Sequence, residues 1–413
     1  MEKIWIFNHY AKHPSVNTQN RHNQFAKQLK KYGYEVTIFF SSHVHNSSIN
    51  LIEDNRLYKD DYIDGIRYIA IRTRSYTDSG KQRVFNMVDF YRRLTRYVES
   101  NKHLKNFAPD VIYASSVHPL TLLAGIKIAK KFKVRCVCEV RDLWPLTLVK
   151  MGRIEEKSLI AQILYIMEKY IYKKADKLIF TMSGGKQYVI DQGWSKRIDT
   201  NKIYHINNGV NIGEFETYKR RYSFYHKNSK KEDFKVTYTG SIGQANMVQT
   251  IIEAAKIIDN ETDENIIFEI FGDGLKRREI EEYIKNENIS NVNVYGKVEP
   301  KYIPSILSRS NVNVIVGKNS DLYKYGFSQN KFFNYLASKK PLISNREVHN
   351  ILEDSGSGIV VEPEDPRALA KGILKFYEMS EKEYKIYCEN AYKLAKEYDY
   401  KNLTNKLVKV LRD

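Results

Sequence analysis

The sequence of 413 residues contains only three cysteines and no long apolar run. Cys136 and Cys138 alternate on one predicted strand and Cys388 lies far away, which excludes a disulfide framework and a four-ligand zinc site. No apolar run approaches the roughly 20 residues that cross a bilayer. Residues 1–10 predict a first strand and show neither the basic region nor the cleavage site of a secretory signal. We therefore expect a cytoplasmic protein, either soluble or peripheral to a membrane.

The first predicted strand, turn and helix lack the glycines of a dinucleotide-binding site. Strands are predicted over residues 4–8 and 35–40 and a helix over residues 18–32, and the first turn reads HYAKHPSVNTQN. A dinucleotide fingerprint would place G-x-G-x-x-G in this turn. The sequence therefore argues against a nicotinamide or flavin enzyme.

Acidic residues are scarce in the first half of the chain. The formal net charge is +18, and residues 1–210 hold 35 Lys and Arg against 19 Asp and Glu, whereas the other 203 residues hold 32 against 30. We therefore expect the first half to face an anionic partner, which could be a membrane surface, a nucleic acid or a phosphorylated lipid. No helix-turn-helix, zinc-finger or RNA-binding signature is present, which argues against nucleic acid.

Two predicted helices of the first half bear on this partner. The helix predicted over residues 81–107 interleaves basic and aromatic side chains, which suits a helix lying on an anionic bilayer, although an ordinary amphipathic surface helix is the alternative. Its basic residues are Arg83, Arg92, Arg93, Arg96, Lys102 and Lys105, and its aromatic residues are Phe85, Phe90, Tyr91 and Tyr97. The apolar helix predicted over residues 155–174, interrupted by Glu168, is expected to be buried.

Polar side chains follow two neighbouring strands predicted in the first half. The strand at residues 110–114 is followed by SSVHPLT, which contains His118, and the strand at residues 134–140 ends in EVRDLWP, which contains Arg141 and Asp142. Ligands of open α/β sheets bind at the carboxyl ends of the strands. His118 could instead pack against Pro119, and Arg141 could form a local ion pair with Asp142. Polar groups at two adjacent strand ends favour a site.

The second half begins a new series of strands and helices whose strand ends carry glycines. TGSIG follows the strand at residues 234–239, GDG the strand at 266–271 and GKV the strand at 292–295, so backbone can approach a ligand closely at each. A polar connector at residues 211–233 predicts the boundary between an N-terminal domain, 1–210, and a C-terminal domain, 234–395, with a last helix at about 396–413 that can pack back on the first. The fold class is α/β, with two Rossmann-like doubly wound domains facing across a cleft.

The stretch YGFSQNKFFNYLASKKPLIS, residues 325–344, predicts a loop, a short helix and a buried strand. Ser328 is a candidate cap, and Lys331 falls in the first helical turn. A cation there opposes the helix macrodipole unless an anion such as a phosphate lies between them. A solvated lysine is the alternative.

These motifs resemble a known enzyme family. EVRDLWP, NNGV followed by EF, TGSIG, FGDG and SQNKFFNYLASKKPLI resemble the retaining glycosyltransferases of family four with the GT-B fold, and most closely the bacterial surface-polysaccharide branch that moves acetamido sugars such as N-acetylfucosamine. The resemblance covers essentially the whole chain. EVRDLWP and the helix with Lys331 are its specific parts, whereas many α/β enzymes share the glycine turns.

The resemblance implies a UDP-sugar donor, a lipid-linked saccharide acceptor on a carrier such as undecaprenyl diphosphate, and retention of configuration by same-face attack. It implies neither a cofactor nor a metal, and no DxD-type pair stands at a strand end. We therefore expect an enzyme of capsule or O-antigen type synthesis, peripheral on the inner face of the membrane. One alternative is a UDP-sugar epimerase of the same architecture, although acid–base residues for C–H chemistry are not evident in the second domain. The other is a basic nucleic-acid-binding protein.

The resemblance also implies roles for individual residues, with His118, Asp142 and Lys331 as the catalytic ones. The expected donor-binding residues are Gly240, Ser241, Gly243, Gly272, Lys297, Ser328, Asn330, Lys331 and Asn334, with Lys331 neutralising diphosphate charge as the sugar bond breaks. The expected acceptor-side residues are Arg21, His118, Arg141 and Asp142.

Three departures from the family pattern affect these roles. Asn334 stands where many members have a glutamate that faces the ribose, and an amide bonds a hydroxyl with less charge assistance. Gln244 and Asn246 occupy a region where members often carry Arg and Lys. PSVNTQNR replaces a glycine-rich first turn, so Arg21 is expected to meet the ligand instead.

Overall fold

The computed structural model describes residues 2–17, 20–77, 80–101, 104, 107–224, 232–345 and 351–413. The chain divides into two compact units: the first unit is Met1–Asn207 with Leu403–Asp413, and the second unit is Asn208–Asn402. In the described parts of the chain, none of the helices has both the length and the apolarity needed to cross a bilayer.

The first unit is built on an eight-stranded sheet that is parallel except for one edge strand. Its strands are β1 (Lys3–Phe7), β2 (Glu35–Ser41), β3 (Tyr58–Ile63), β4 (Ile66–Ile71), β5 (Val111–Ser115), β6 (Arg135–Val140), β7 (Lys177–Phe180) and β8 (Ile203–His205). Their order is β3-β4-β2-β1-β5-β6-β7-β8, and β3 is antiparallel to β4. From β1 the chain runs outward through β2 to the edge strand β3, returns along β4 and then crosses to β5, so the strand order reverses between β1 and β5. Ligands of open α/β sheets bind at this kind of point.

Helices cover both faces of this sheet. They are α1 (Arg21–Lys31), α2 (Lys81–Ser100), α3 (Pro119–Phe132), α4 (Leu146–Lys150), α5 (Leu159–Lys174) and α6 (Gly185–Asp191). Helix α3 packs on β5 and β6 between α2 and α5, and α1 packs on β2 and β4. Because β1 is covered on both sides, its residues Ile4, Trp5, Ile6 and Phe7 are all almost completely buried.

The second unit has a six-stranded, fully parallel sheet of order β11-β10-β9-β12-β13-β14. Its strands are β9 (Phe234–Thr239), β10 (Ile266–Phe271), β11 (Val292–Gly296), β12 (Val312–Ile315), β13 (Leu342–Ser344) and β14 (Gly358–Val360). Its helices are α7 (Ile212–Arg221), α8 (Val248–Glu261), α9 (Arg277–Asn286), α10 (Ile303–Arg309), α11 (Asn330–Ala337), α12 (Ile351–Asp354), α13 (Pro366–Tyr377) and α14 (Glu381–Glu397). The strand order reverses between β9 and β12. Helices α8 and α13 contribute to one apolar core and α7, α11 and α14 to the other.

The last helix, α15 (Tyr400–Arg412), enters the first unit from residue 403 onward. Leu403, Leu407 and Leu411 are buried on its inner face. The guanidinium of Arg135 on β6 donates to the last carbonyls of this helix, those of Leu411 at 2.8 Å and Arg412 at 3.1 Å. A cation at a helix C-terminus satisfies carbonyls that have no partner within the helix.

Two differences from the predicted elements concern the first half. The prediction that the helix at residues 155–174 is buried is wrong, because α5 leaves Leu159 72% and Ile166 68% exposed. The helix predicted over residues 81–107 ends at Ser100 as α2, and Lys102 and Lys105 lie outside the described residues. Its aromatic residues Phe90 and Tyr97 face the core.

The predicted connector at residues 211–233 contains structure that belongs to the second unit. Its first part forms helix α7, which packs on α10 and buries Phe215. Residues 225–231 lie outside the described residues.

Candidate active site

Backbone hydrogen bonds join the ends of three adjacent strands in the second unit. The amide of Gly240, after β9, donates to the carbonyl of Phe271 at 2.9 Å, and the amide of Gly272, after β10, donates to the carbonyl of Gly296 at 2.8 Å. The amide of Ile242 donates to the carbonyl of Asp273 at 2.9 Å. The turns after β9 and β10 and the end of β11 therefore form one continuous backbone surface that begins beside the point where the strand order reverses.

This surface requires glycine at Gly272. A Cβ atom there would lie 1.7 Å from the carbonyl oxygen of Gly240, a distance that no side chain allows. At Gly243, by contrast, a Cβ atom would meet nothing within 4 Å, so the structure leaves open space beside that turn. Ser241 is exposed, and its Oγ accepts a hydrogen bond from the side chain of Asn246 at 2.7 Å.

Helix α11 is attached to the end of β9 by two side chains one turn apart. The ammonium group of Lys331 donates to the hydroxyl of Tyr238 at 3.2 Å and lies 4.4 Å from the centre of its ring. The hydroxyl of Tyr335 accepts from the amide of Thr239 at 2.7 Å and donates to the carbonyl of the same residue at 3.1 Å. Lys331 Nζ lies only 3.3 Å from the position of a Cβ atom on Gly240. Two of the predicted donor-binding residues, Lys331 and Gly240, are therefore neighbours.

Tyr238 was not predicted as a site residue, although it connects this arrangement. Its hydroxyl accepts from Lys331 and donates to the carbonyl of Ser241 at 2.8 Å. It therefore couples the position of the ammonium group to the shape of the glycine turn. The sequence does contain a signal for this role, because Tyr238 stands near the end of a predicted strand and directly before Thr239 and Gly240.

The prediction that Ser328 caps α11 is wrong. The cap position is held by Gln329, whose side chain makes no capping hydrogen bond. The hydroxyl of Ser328 instead accepts from the amide of Asn208 at 2.9 Å, and the Ser328 carbonyl accepts from the Asn208 side chain at 2.6 Å. The first turn of α11 thus has no side-chain cap and no acidic residue, and it carries Lys331. Such a helix start favours an anion.

The other predicted donor residues lie on α11 or just after β11. Asn330 is exposed at the start of α11 and Asn334 is half-buried one turn later. Lys297 is exposed and follows Gly296, whose carbonyl accepts from Gly272.

Two histidines meet in the first unit where its strand order reverses. His9 follows β1 and His118 follows β5, and His9 Nδ1 lies 2.5 Å from His118 Nε2. The ring of His9 stacks on Phe90 at 4.7 Å and on Tyr10 at 4.5 Å. Burial, with a contribution from the cation of Arg83, lowers the pKa of His118 to about 3, so this imidazole is neutral at neutral pH. His9 was not predicted, although it lies two positions after the end of β1.

A narrow cavity beside His118 contains acidic side chains. His118, Asp142, Trp144 and Glu168 are among its lining residues, so His118 and Asp142, predicted separately, border one cavity. The side chain of Asp142 is exposed, and the amide of Arg141 donates to the Ser116 hydroxyl at 3.1 Å. Within the described ranges, no group of three or more His, Cys, Asp or Glu side chains is placed to hold a metal ion.

Arg21, predicted on the acceptor side, instead supports a buried carboxylate. It is 3% exposed, and its guanidinium donates to Glu139 at 2.6 and 3.0 Å. It also donates to the carbonyls of Ile206 at 2.8 Å and Asn207 at 2.6 Å. Burial, the largest single influence, raises the pKa of Glu139, but Arg21 together with His22 and Arg141 outweighs burial and lowers the pKa to about 2. The structure therefore gives Arg21 a role in joining α1, β6 and the segment after β8.

Two family models match the chain one after the other. The model described as Glycosyltransferase Family 4 matches residues 21–214, and the model described as Glycosyl transferases group 1 matches residues 233–379. Among curated proteins, the probable glycosyltransferase WbjE of Pseudomonas aeruginosa is 21% identical over 275 residues, which are 65% of this chain and 66% of that protein. The match thus spans about two thirds of the length of this relative.

Solved structures show the same fold over nearly the whole chain. Sucrose-phosphate synthase from Thermosynechococcus elongatus has a TM-score of 0.72 and 16% identity, covering 100% of this chain and 98% of that one. HepE from Anabaena, solved with UDP and glucose, has a TM-score of 0.67 and 13% identity, covering 100% of both chains. WaaG, a glycosyltransferase involved in lipopolysaccharide biosynthesis, has a TM-score of 0.64 and 13% identity, covering 99% of each chain.

The two units with parallel, Rossmann-like sheets define the architecture of the GT-B glycosyltransferases, and the predicted α/β fold class is confirmed. The family matches over both halves agree with this architecture. Both family models describe glycosyltransferases and together match most of the chain, which supports a glycosyltransferase of GT-B type and confirms the prediction at this level.

Removing the guanidinium of Arg21 should destabilise the first unit. Arg21→Ala leaves Glu139 buried without a counter-ion, so we expect a loss of about 3–5 kcal/mol in the free energy of unfolding, measured with urea. Replacing both charges, as Arg21→Met with Glu139→Gln, should cost clearly less. Arg92→Ala, at an exposed site on α2, is the control and should change stability by less than about 0.5 kcal/mol. Equal effects at both arginines would contradict the assigned role.

Glu168 should make stability depend on pH. Its carboxyl oxygens accept from the hydroxyls of Tyr172 and Tyr188, each at 2.7 Å, but burial outweighs these bonds and raises the pKa to about 8. A raised carboxyl pKa stabilises the fold at low pH, and this contribution is lost as pH rises toward 8. The melting temperature of Glu168→Gln relative to wild type should therefore rise between about pH 5 and pH 9. The exposed Glu156→Gln is the control. A constant difference for Glu168→Gln across this range would contradict the assignment.

Proposed function

We propose that this enzyme transfers a sugar from a UDP donor to a lipid-linked saccharide, with retention of configuration, in the synthesis of a capsule or O-antigen type surface polysaccharide. The proposal of a UDP donor rests mainly on one arrangement of the second unit. It combines Lys331, the start of α11 without a side-chain cap, and the glycine turns after β9 and β10. Backbone amides and a fixed cation together recognise a diphosphate. HepE, a protein of the same fold, was solved with UDP and glucose, which supports a uridine nucleotide.

The chemistry proposed for the second unit is stabilisation of the leaving diphosphate. As the bond between sugar and phosphate breaks, negative charge accumulates on the departing nucleotide. Lys331, fixed by Tyr238, supplies the positive charge at the start of α11. A group held in place before the reaction stabilises this charge without reorganisation. Asn334 and Ser328 are proposed to contact the ribose and phosphates, and no metal or cofactor is proposed to take part.

His118 and Asp142 are proposed as the acceptor-side residues of the first unit. The pKa of His118 is lowered to about 3, so its neutral ring can accept a hydrogen bond from a sugar hydroxyl. Its Nδ1 atom is buried and has no hydrogen-bond partner among the described residues. His9, in contact with Nε2, then determines the tautomer and the orientation of the ring.

The proposed acceptor is carried by a lipid such as undecaprenyl diphosphate at the inner face of the cell membrane. The excess of Lys and Arg in residues 1–210 supports an anionic surface as partner. WaaG, of the same fold, is involved in lipopolysaccharide biosynthesis. The proposed donor sugar is an acetamido sugar such as N-acetylfucosamine, which rests on the resemblance of EVRDLWP and the Lys331 helix.

A thermal-shift comparison tests the donor. The enzyme is melted with UDP, GDP, ADP and TDP, first without and then with magnesium. Because a ligand that binds only the folded state raises its stability, we expect UDP to raise the melting temperature most, and equally in both conditions. A shift confined to another nucleotide, or one that requires magnesium, would contradict the proposal.

Lys331→Ala should reduce turnover by about 100-fold at saturating donor, because one fixed group that stabilises developing charge is removed. Tyr238→Phe should reduce it less, since the ammonium group remains but loses one partner. Lys285→Ala, at an exposed position on α9, is the matched control. The measurement is sugar transfer from the UDP-sugar, with the melting temperature recorded for each variant. Unaltered turnover in Lys331→Ala would remove this residue from the site.

His118→Ala should reduce transfer by about 100-fold while UDP still raises the melting temperature as in wild type. His9→Phe keeps an aromatic ring in the stack but removes the contact with Nε2, so transfer should fall and its pH profile should change. Loss of the UDP effect in a folded His118→Ala protein would contradict the assignment of this residue to the acceptor.

A further inference from the structure

The outer face of helix α5 exposes an unusual concentration of large apolar side chains. The exposed fractions are 72% for Leu159, 62% for Ile160, 55% for Ile163, 68% for Ile166 and 49% for Tyr170. We call these five residues the α5 face. Exposed apolar residues scattered singly are normal on a soluble surface, but a contiguous group indicates a binding surface.

The spacing of these residues places them in one line along the helix. Leu159, Ile163, Ile166 and Tyr170 are separated by four, three and four positions, so they lie on the same side over three turns. The opposite side is fixed in the first unit by buried residues, namely Ala161, Glu168, Ile171 and Tyr172. The exposure therefore belongs to a helix that is already packed, not to a loose segment.

The charges that helix α5 itself exposes are all positive. The line continues to Lys173 and Lys174, three and four positions after Tyr170, and both are exposed. The only acidic residue between 159 and 174 is Glu168, on the buried side. Helix α5 thus places two exposed cations directly after the apolar α5 face, and it adds no exposed carboxylate.

We propose that the α5 face binds the surface of an anionic lipid bilayer. Leu159, Ile163 and Ile166 enter the boundary between headgroups and acyl chains, and Lys173 and Lys174 contact lipid phosphates. This inference deepens the proposed function, on which it rests, because a lipid-linked acceptor is presented at such a surface. The sequence suggested α2 as the helix that contacts the bilayer, but its Phe90 and Tyr97 are buried. The proposal assigns this contact to α5, which was expected to be buried.

A bilayer fits the α5 face better than a second copy of the chain. Two copies meeting through this face would bring together two strongly basic halves, which repel each other. The aliphatic side chains offer no hydrogen-bonding groups for a specific protein partner, whereas acyl chains require none. The lysines at one end match lipid phosphates, and their long stems let the ammonium groups reach the headgroups while the carbon chains remain in apolar surroundings.

Vesicle sedimentation with the whole enzyme tests the proposal. Vesicles of phosphatidylcholine alone are compared with vesicles that also contain phosphatidylglycerol, at low and high salt. We expect wild type to bind the anionic vesicles and the triple variant Leu159→Gln, Ile163→Gln, Ile166→Gln to bind at least about tenfold more weakly. Lys173→Gln with Lys174→Gln should weaken binding to the anionic vesicles at low salt. Absence of wild-type binding, or binding equal to wild type in the triple variant, would overturn the proposal.

The matched control is Val84→Gln with Phe85→Gln on α2, which removes two apolar side chains exposed by 55% and 51% from the same unit. It should bind vesicles as wild type does, and equal losses in both variants would overturn the assignment to α5. Ile166→Trp keeps the surface apolar and should shift its fluorescence to shorter wavelength on anionic vesicles, whereas Val84→Trp should not. No shift at either position would speak against insertion.

Two further measurements distinguish membrane binding from self-association and from damage to the donor site. Sedimentation of wild type without lipid should show a monomer, and a dimer that the triple variant dissociates would overturn the proposal by making the α5 face an interface between copies. The triple variant should keep its UDP-dependent thermal shift and its transfer to a water-soluble acceptor. If UDP fails to stabilise wild type while vesicle binding still depends on the α5 face, the proposed function fails and the membrane contact stands.

Discussion

The proposed donor side of this enzyme depends on the attachment of one short helix to the end of one strand. Lys331 and Tyr335, one turn apart on α11, bond to the consecutive residues Tyr238 and Thr239 on β9. Parallel pairing of β9 with β10 and β12 fixes the strand end, and the Gly240 turn follows from it. A lysine ammonium, a helix start and a glycine turn are thereby positioned by contacts within the protein itself. Preorganisation of this kind lets a site stabilise charge without rearranging.

Much of this arrangement could be predicted from the sequence because it follows from local patterns. Alternating apolar runs predicted the strands, and glycines directly after them predicted the turns that approach one another at Gly240 and Gly272. The position of Lys331 followed from the helical period of its neighbours. The location of His118 and Asp142 followed from the rule that ligands bind at strand ends.

What could not be predicted depends on partners far apart in the chain. Ser328 was expected to cap α11 because the local sequence allows it. Its hydroxyl instead accepts a hydrogen bond from the amide of Asn208, 120 positions away. Arg21 lies 118 positions from Glu139, so the sequence around Arg21 gives no indication that this arginine pairs with a buried carboxylate. His9 and His118 are 109 positions apart and meet only because β1 and β5 are neighbours in the sheet. Long-range pairing of polar groups is set by topology, which local patterns leave open.

Helix α5 shows a related limit. Its composition is apolar around most of the circumference, which predicts burial, but a helix at the outside of a domain is covered only on its inner face, here the face with Ala161, Ile171 and Tyr172. Whether the outer face meets another element depends on the rest of the fold. The exposed aliphatic line was therefore visible only in the structure.

The return of α15 to the first unit has a consequence for biosynthesis. Residues 403–413 pack beside β6, and Arg135 bonds their last carbonyls, yet the whole second unit is encoded between the two parts of the first. A ribosome adds about 5–20 residues per second, so the first unit waits about 10–40 s for its last helix. During that interval, the apolar surface that Leu403, Leu407 and Leu411 later cover is still exposed. The nascent chain is therefore most exposed to aggregation, and most accessible to chaperones, while its second unit is being made.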